Sequence, residues 1–223
     1  HLQIRTESID FSMRGGIKSA DTKNPLLDFV TRIDSGELPR LHTLIPKNLL
    51  RPSGEKWLRN AFLSGRFQPS GLIVRGYLND FPFDQHTGTF KGSFDVTDVD
   101  LKYSAKFPMT SAITATVTVD GRKIETSMHS GRVYGAAVDG STVEMPDLFS
   151  PKPMVRMRGD LRVTPDDVGK FIEESPLHAT KASRYANVEI SGDFDLTLDM
   201  NLGLYPGADK EVLGLVRFSD NRI

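Results

Sequence analysis

The chain has 223 residues, no cysteine, and 28 basic against 29 acidic side chains, for a net charge of -1. That length supports one large β domain or two small ones; the missing cysteines exclude disulfides, thiolate metal sites and a cysteine nucleophile, and the balanced charge gives no electrostatic basis for binding nucleic acid. No run reaches the roughly 18 apolar residues of a spanning helix, and the start at His1 shows neither an initiator methionine nor a charged-then-apolar leader, so the chain reads as a piece of a longer protein, and a membrane anchor, if there is one, is expected outside it.

In chain order, residues 25 to 45 fit two readings. Leu26, Leu27, Val30 and Ile33 have helical spacing, whereas Phe29 and the Ser35-Gly36 break suit a strand. A short helix is predicted from about Ser53 to Leu63, with Glu55 in its first turn, Trp57, Leu58 and Phe62 on one side, and Gly65 after its end. Leu72, Val74 and Leu78 alternate with Arg75 as a one-faced strand. Between Phe94 and Tyr103 the apolar set changes phase, from Phe94 and Val96 to Val99, Leu101 and Tyr103, which predicts a bulge near Thr97-Asp98.

Ile113, Ala115, Val117 and Val119 then alternate with Thr114, Thr116 and Thr118, and Asp120-Gly121 predicts a tight hairpin turn. The returning strand carries Ile124, Thr126 and Met128 on one face. After a break at Ser130-Gly131, Val133 is expected to lead another short strand toward Val138. Met145 to Pro153, with Pro146, Pro151 and Pro153, is the nearest thing to a linker and a candidate division between two repeat-like units.

Val155, Met157, Leu161 and Val163 alternate with Arg156, Arg158, Asp160 and Arg162. Thr164-Pro165-Asp166-Asp167 supplies a cap, a proline at the first helical position and an acidic first turn for a helix through Val168, Phe171 and Ile172, stopped by Ser175-Pro176. The strongest periodicity follows at residues 188 to 204. Val188, Ile190, Gly192, Phe194, Leu196, Leu198, Met200, Leu202 and Leu204 fill every second position, with Asp193, Asp195 and Asp199 among the intervening polar ones. An uninterrupted strand of this length would extend about 55 Å at about 3.3 Å per residue. Leaving its apolar side chains in water would forfeit roughly 12 to 24 kcal/mol. The two predicted helices are too short to cover it, so a second sheet, the same sheet curled on itself, or bound acyl chains must do so.

Catalytic signatures are missing: no G-x-S-x-G elbow, no H-E-x-x-H and no complete phosphate loop. Gly15-Gly16-Ile17-Lys18-Ser19 lacks the glycine before lysine and reads as a turn between strands. His42, His86, His129 and His178 are isolated, and Asp95, Asp98 and Asp100 lack the order of a calcium loop, so no metal site and no cofactor is expected. Asp193, Asp195 and Asp199 read as a solubilising row on the polar face of a strand.

Several passages resemble one family. Leu44-Ile45-Pro46, then Gly54-Glu55-Lys56-Trp57-Leu58 and Ser64-Gly65, resemble a "YLP…WL…G" passage; Arg75-Gly76 followed by Asp80-Phe81-Pro82-Phe83, Gly88 and Phe90 resembles "RG.L.DFPF…G.F" and is the most specific match. Asp120-Gly121, Gly131-Arg132-Val133-Tyr134-Gly135, Met145-Pro146-Asp147-Leu148 and the helix end Ser175-Pro176-Leu177 follow in the same order. The order resembles the AsmA-like envelope protein family, with its YhdP- and TamB-like members, over about three quarters of the chain. Ile45 departs from the family register, and residues 1 to 40 carry none of its motifs.

The resemblance implies a mainly β segment spanning residues 1–223: an elongated, curled antiparallel sheet, open or taco-like, with one or two short helices. It implies a non-catalytic carrier of phospholipid between inner and outer membranes, periplasmic and anchored to the inner membrane by sequence outside this chain. The lining it implies is the set of alternating apolar positions: Val188, Ile190, Phe194, Leu196, Leu198, Met200, Leu202, Leu204, Ile113, Val117, Val119, Val155, Met157 and Leu161. Phospholipid is the expected partner, with exposed sheet edges open to envelope proteins. The alternative is a structural or carbohydrate-binding β-sandwich whose apolar faces pack on each other. An outer-membrane barrel ranks last, because a single tryptophan and five tyrosines provide no aromatic girdle.

Overall fold

Thirteen strands of one antiparallel sheet account for about half of the described residues. The computed structural model describes residues 2–5, 9–45, 49–179, 192–205, 207–208 and 210–217. In order these are β1 (Leu2–Arg5), β2 (Ile9–Lys18), β3 (Leu26–Glu37), helix α1 (Pro52–Ala61), β4 (Arg66–Phe67), β5 (Ser70–Tyr77), β6 (Thr89–Leu101), β7 (Thr110–Asp120), β8 (Lys123–Val133), β9 (Ala136–Ala137), β10 (Thr142–Met145), β11 (Met154–Val163), helix α2 (Pro165–Glu173), β12 (Phe194–Gly203) and β13 (Lys210–Arg217). The strands pair as a meander, β1-β2-β3-β4-β6-β7-β8-β10-β11-β12-β13, with β5 beyond β4 between β3 and β6, and β9 on β8. β1 and β13 are its edges, so the sheet is open and not a closed barrel. Almost every pairing joins neighbours in sequence, which keeps loop-closure cost low.

Local chemistry explains the elements. Gly121, with φ 57, supplies the left-handed backbone at the turn between Asp120 and its cross-strand partner Lys123. The predicted bulge is present: β6 places two residues, Thr97 and Asp98, against one on β7, and Asp98 has φ 56. A second offset follows on β7, where Ala112 has φ 51 and its N–H donates to Asp100 Oδ1 at 3.1 Å. Together these keep Phe94, Val96, Val99 and Leu101 packed on one cluster despite the phase change. At α2, the Thr164 hydroxyl oxygen accepts from the Asp167 N–H at 3.1 Å, with Pro165 opening the helix.

The structure resolves one open reading and corrects several expectations. Residues 26 to 37 form a strand, and the helical spacing of Leu26, Leu27, Val30 and Ile33 is incidental; a short 3-10 turn, Leu38–Thr43, follows. α1 ends at Ala61, leaving Phe62 and Leu63 outside it. Leu78 leaves the strand for a 3-10 turn and is 48% exposed, so it does not continue the face of Leu72 and Val74. Ser130-Gly131 is no break, because β8 runs through it and absorbs a register shift there; only Ala136–Ala137 forms the short strand expected toward Val138. Gly15 to Lys18 lie inside β2, and the turn starts at Ser19. The strand predicted over 188 to 204 is not uninterrupted. Among the described residues it begins at Phe194, after Gly192 at φ 83, and ends at Gly203, while residues 188–191 lie outside the described ones. The Pro-rich stretch before Met154 joins β10 to β11, which pair directly.

The two faces of the sheet differ in chemistry. The outer face carries cross-strand ion pairs: Arg75–Asp28 at 2.9 Å, Lys91–Asp120 at 2.9 Å, Arg158–Asp199 at 2.9 Å and Arg162–Asp195 at 3.2 Å. Such exposed pairs each add little stability, but they favour one register and keep the face wet. The row Asp193, Asp195 and Asp199 accordingly meets arginines and not one another. The inner face is apolar and curls: Tyr103 and Phe107, on the connection from β6 to β7, pack against Met200 and Leu202 on β12.

Candidate apolar groove

Residues directly opposite in an antiparallel sheet share a face, so the strand registers define rows that cross the sheet. One row runs Phe94–Val117–Thr126–Val143–Met157–Met200–Val212, from β6 to β13, skipping only the two-residue β9. Beside it, Gly92, Val119, Ile124 and Met145 are successive partners, and Val155 pairs Leu202. Thr126 is the one side chain with a polar atom in these two rows. From Phe94 to Met157 every member is only half-buried, whereas Met200 is 2% and Leu202 6% exposed. A strip of apolar surface therefore crosses β6 to β11 without a second sheet against it, and chain covers it at β12.

The strand ends on either side of this strip are closed. At the end carrying Ile33, Val99 and Ile113, residues 38–44 and Phe62 lie over the sheet, and Leu38, Leu41, Leu44 and Phe62 pack on Ile9, Phe67, Val96 and Ala115. Farther along the same end, Val168 of α2 covers Val163 and Phe194, and Phe171 joins Tyr103 and Phe107 over Leu198 and Met200, with Met157 at the half-buried margin of that cluster. The expectation that the helices are too short to cover β12 is corrected here: α2 covers it jointly with residues 102–109. Burial pushes the Tyr103 phenol well above its ordinary range, with Tyr134 a smaller contributor.

The opposite end is closed by aromatics. Phe81 lies 5.0 Å from Phe90, 5.5 Å from Phe149 and 5.7 Å from Phe83 between ring centroids. Phe83 is 5% exposed and lies over two glycines: a Cβ at Gly76 would come within 2.8 Å of its Cδ1, and one at Gly88 within 2.6 Å. Arg122, in the β7–β8 turn, donates from Nε to both Asp84 carboxylate oxygens at 2.8 Å and from Nη1 to Asp147 Oδ1 at 3.1 Å. Its guanidinium also lies 5.8 Å from the Phe149 ring centroid. Three connections, before β6, after β7 and before β11, are thus clasped around one charge, and the Asp80-Phe81-Pro82-Phe83 and Met145-Pro146-Asp147-Leu148 passages meet in space.

Of the predicted lining, Val117, Val119, Val155 and Met157 lie in the half-buried strip. Ile113 belongs to the sealed cluster at one strand end. Phe194, Met200 and Leu202 are buried, with Leu161, Leu196 and Leu198 partly buried around them. Leu204 lies one residue past β12 and is 52% exposed. Val188 and Ile190 lie outside the described residues. Sequence reasoning left Phe94, Ile124, Val143 and Met145 out of the lining. The alternation of Val143 and Met145 with Thr142 and Glu144 was the available signal, obscured by a four-residue strand running into Pro146.

Among the described residues no group of three or more histidines and carboxylates could hold a metal ion. Asp95 accepts from Thr116 Oγ1 at 2.6 Å while Asp100 holds the β7 backbone, so these carboxylates serve the sheet separately. No described helix is long and apolar enough to cross a membrane. Neither the curated proteins nor the solved structures compared with the chain gave a match. A family model described as YhdP protein matches residues 1–223.

Proposed function

The chain belongs to the YhdP protein family, a cell-envelope family whose membership suggests a role in lipid transport or envelope biogenesis, and from that premise we propose that this segment binds phospholipid acyl chains on its inner face and passes them across the strands between the inner and outer membranes. It does so without catalysis, in the periplasm, tethered to the inner membrane by sequence outside this chain. The observation that carries this reading is the half-buried row Phe94–Val117–Thr126–Val143–Met157, five successive positions with a single hydroxyl among them. An acyl chain needs apolar contact and no directional partner, and such a strip supplies that along its length. Closure at both strand ends leaves the direction across the strands as the open one.

The test is lipid extraction and mass spectrometry of the purified chain. Phospholipid is expected to copurify, and Met157→Glu is expected to reduce loading about tenfold or more, since a carboxylate against an acyl chain costs more than ~1.4 kcal/mol. Ser127→Glu, on the exposed outer face of β8, is expected to leave loading unchanged. Equal loading in both variants, or none in the parent, overturns the reading.

A further inference from the structure

The strip changes character at β12. Up to Met157 its side chains are half-buried; at Met200 and Leu202 they are covered by Phe107, itself 6% exposed, and by Tyr103. What holds this cover is unlike what holds the sheet. Among the described residues, two backbone hydrogen bonds are made by N–H groups of this segment: at its start the Lys102 N–H donates to the Ala61 carbonyl at 2.8 Å, and within it the Phe107 N–H donates to the Ser104 carbonyl at 3.5 Å. Side chains add one tie to the rest of the chain, from Trp57 Nε1 to Tyr103 O at 2.8 Å, and two within the segment, from Lys102 Nζ to Phe107 O at 2.8 Å and from the Lys106 N–H to Ser104 Oγ at 3.2 Å. On the sheet side the contact is apolar, with Phe107 5.8 Å from Tyr103 and 6.2 Å from Phe171 between ring centroids.

We propose that residues 102–109 are a displaceable plug: Tyr103 and Phe107 occupy the continuation of the apolar strip on β12, and a phospholipid acyl chain takes their place when it loads. The inference rests on the lipid-binding reading above. An acyl chain offers Met200 and Leu202 the same apolar contact that Phe107 offers. Releasing the loop about Lys102 breaks no hydrogen bond of the sheet, and the Tyr103 carbonyl exchanges its Trp57 donor for water. Exchange of like contact for like lets loading proceed without exposing the strip to water.

The protein carries its own reporter, because Trp57 is its single tryptophan and is bonded to the plug. Vesicles of phosphatidylethanolamine and phosphatidylglycerol containing a fluorescent phosphatidylethanolamine are titrated with the parent chain and with Phe107→Ala, following lipid uptake and Trp57 emission together. The expected result is a shift of Trp57 emission that tracks uptake in the parent, with several-fold stronger uptake by Phe107→Ala. A double variant, F107C with M200C, controls for folding in a chain with no other thiol. Joined by a short reducible crosslinker it is expected to take up no lipid, and to regain uptake on reduction. Lipid uptake with Trp57 unmoved, or undiminished uptake by the crosslinked form, overturns the plug while leaving lipid binding standing. Uptake by none of the proteins, at any state of the crosslink, overturns both.

Discussion

The two halves of the inner face have the same alternation and different fates. Between β2 and β7 the end bearing Val96, Val99 and Ile113 is a dry core, with residues down to 2% exposed beneath Leu38, Leu41 and Phe62. A few residues farther along the same strands, Val117 and Val119 are only half-buried and belong to none of the packed clusters. Strand chemistry does not distinguish Ile113 from Val119; what does is whether a connection returns over them. The difference teaches that this sheet is stabilised at its strand ends and left available along its middle, a division between fold and cargo within single strands.

Charge placed on one strand separates the two roles. Ile113→Asp puts a carboxylate in the sealed cluster, and a loss of about 3 to 5 kcal/mol in unfolding free energy is expected by urea denaturation. Val119→Asp, on the same face, is expected to cost about 1 to 2 kcal/mol, because water reaches it, yet to reduce phospholipid loading as strongly as Met157→Glu. Equal destabilisation by both would show the middle of the face to be as dry as its end.

The aromatic end offers a smaller contrast of the same kind. Phe83→Ala removes a buried ring from against Gly76 and Gly88 and is expected to cost about 3 kcal/mol. Arg122→Ala removes the clasp, but its ion pairs are more than a third exposed, and about 0.5 to 1 kcal/mol is expected after screening. A loss for Arg122→Ala as large as that for Phe83→Ala, by the same denaturation, would make the charge and not the rings the source of closure.

How far these features were legible follows from the range of the interactions that make them. Alternation in β7, β11 and β12, the Thr97-Asp98 bulge, the Asp120-Gly121 turn and the Thr164 cap are set within a few residues, and each is readable from its own neighbourhood. The Asp80-Phe81-Pro82-Phe83 passage was legible as a motif but not as a mechanism, since its partners Arg122 and Asp147 lie 38 and 63 positions from Asp84 in sequence. The cover over Met200 was illegible for the same reason. Nothing in the local sequence of residues 102–109 states that they cross to β12, and a reading that weighed helices, sheets and acyl chains as cover overlooked a loop. The predicted strand missed at Gly192 for another reason: glycine fits an alternating pattern by position, while Gly192 at φ 83 stands before the strand and not in it.

The last contrast is between the covered Tyr103 and an ordinary phenol. Burial raises its pKa in the folded state above the ordinary 10.0, so the folded chain keeps a proton that the unfolded chain releases. Stability from this group is therefore complete below pH 10 and falls as pH rises beyond it; neutral pH is without effect. An ultraviolet difference titration is expected to show a phenol ionising late, together with Tyr134, which burial and the Glu174 carboxylate push up to about 12. In Phe107→Ala the covering ring is gone, and the Tyr103 titration is expected to move toward lower pH while Tyr134 stays. Lipid that lifts residues 102–109 off Met200 is expected to do the same to the parent chain. Unchanged titration in the presence of bound lipid would mean that Tyr103 remains covered and that the strip ends, for cargo, at Met157.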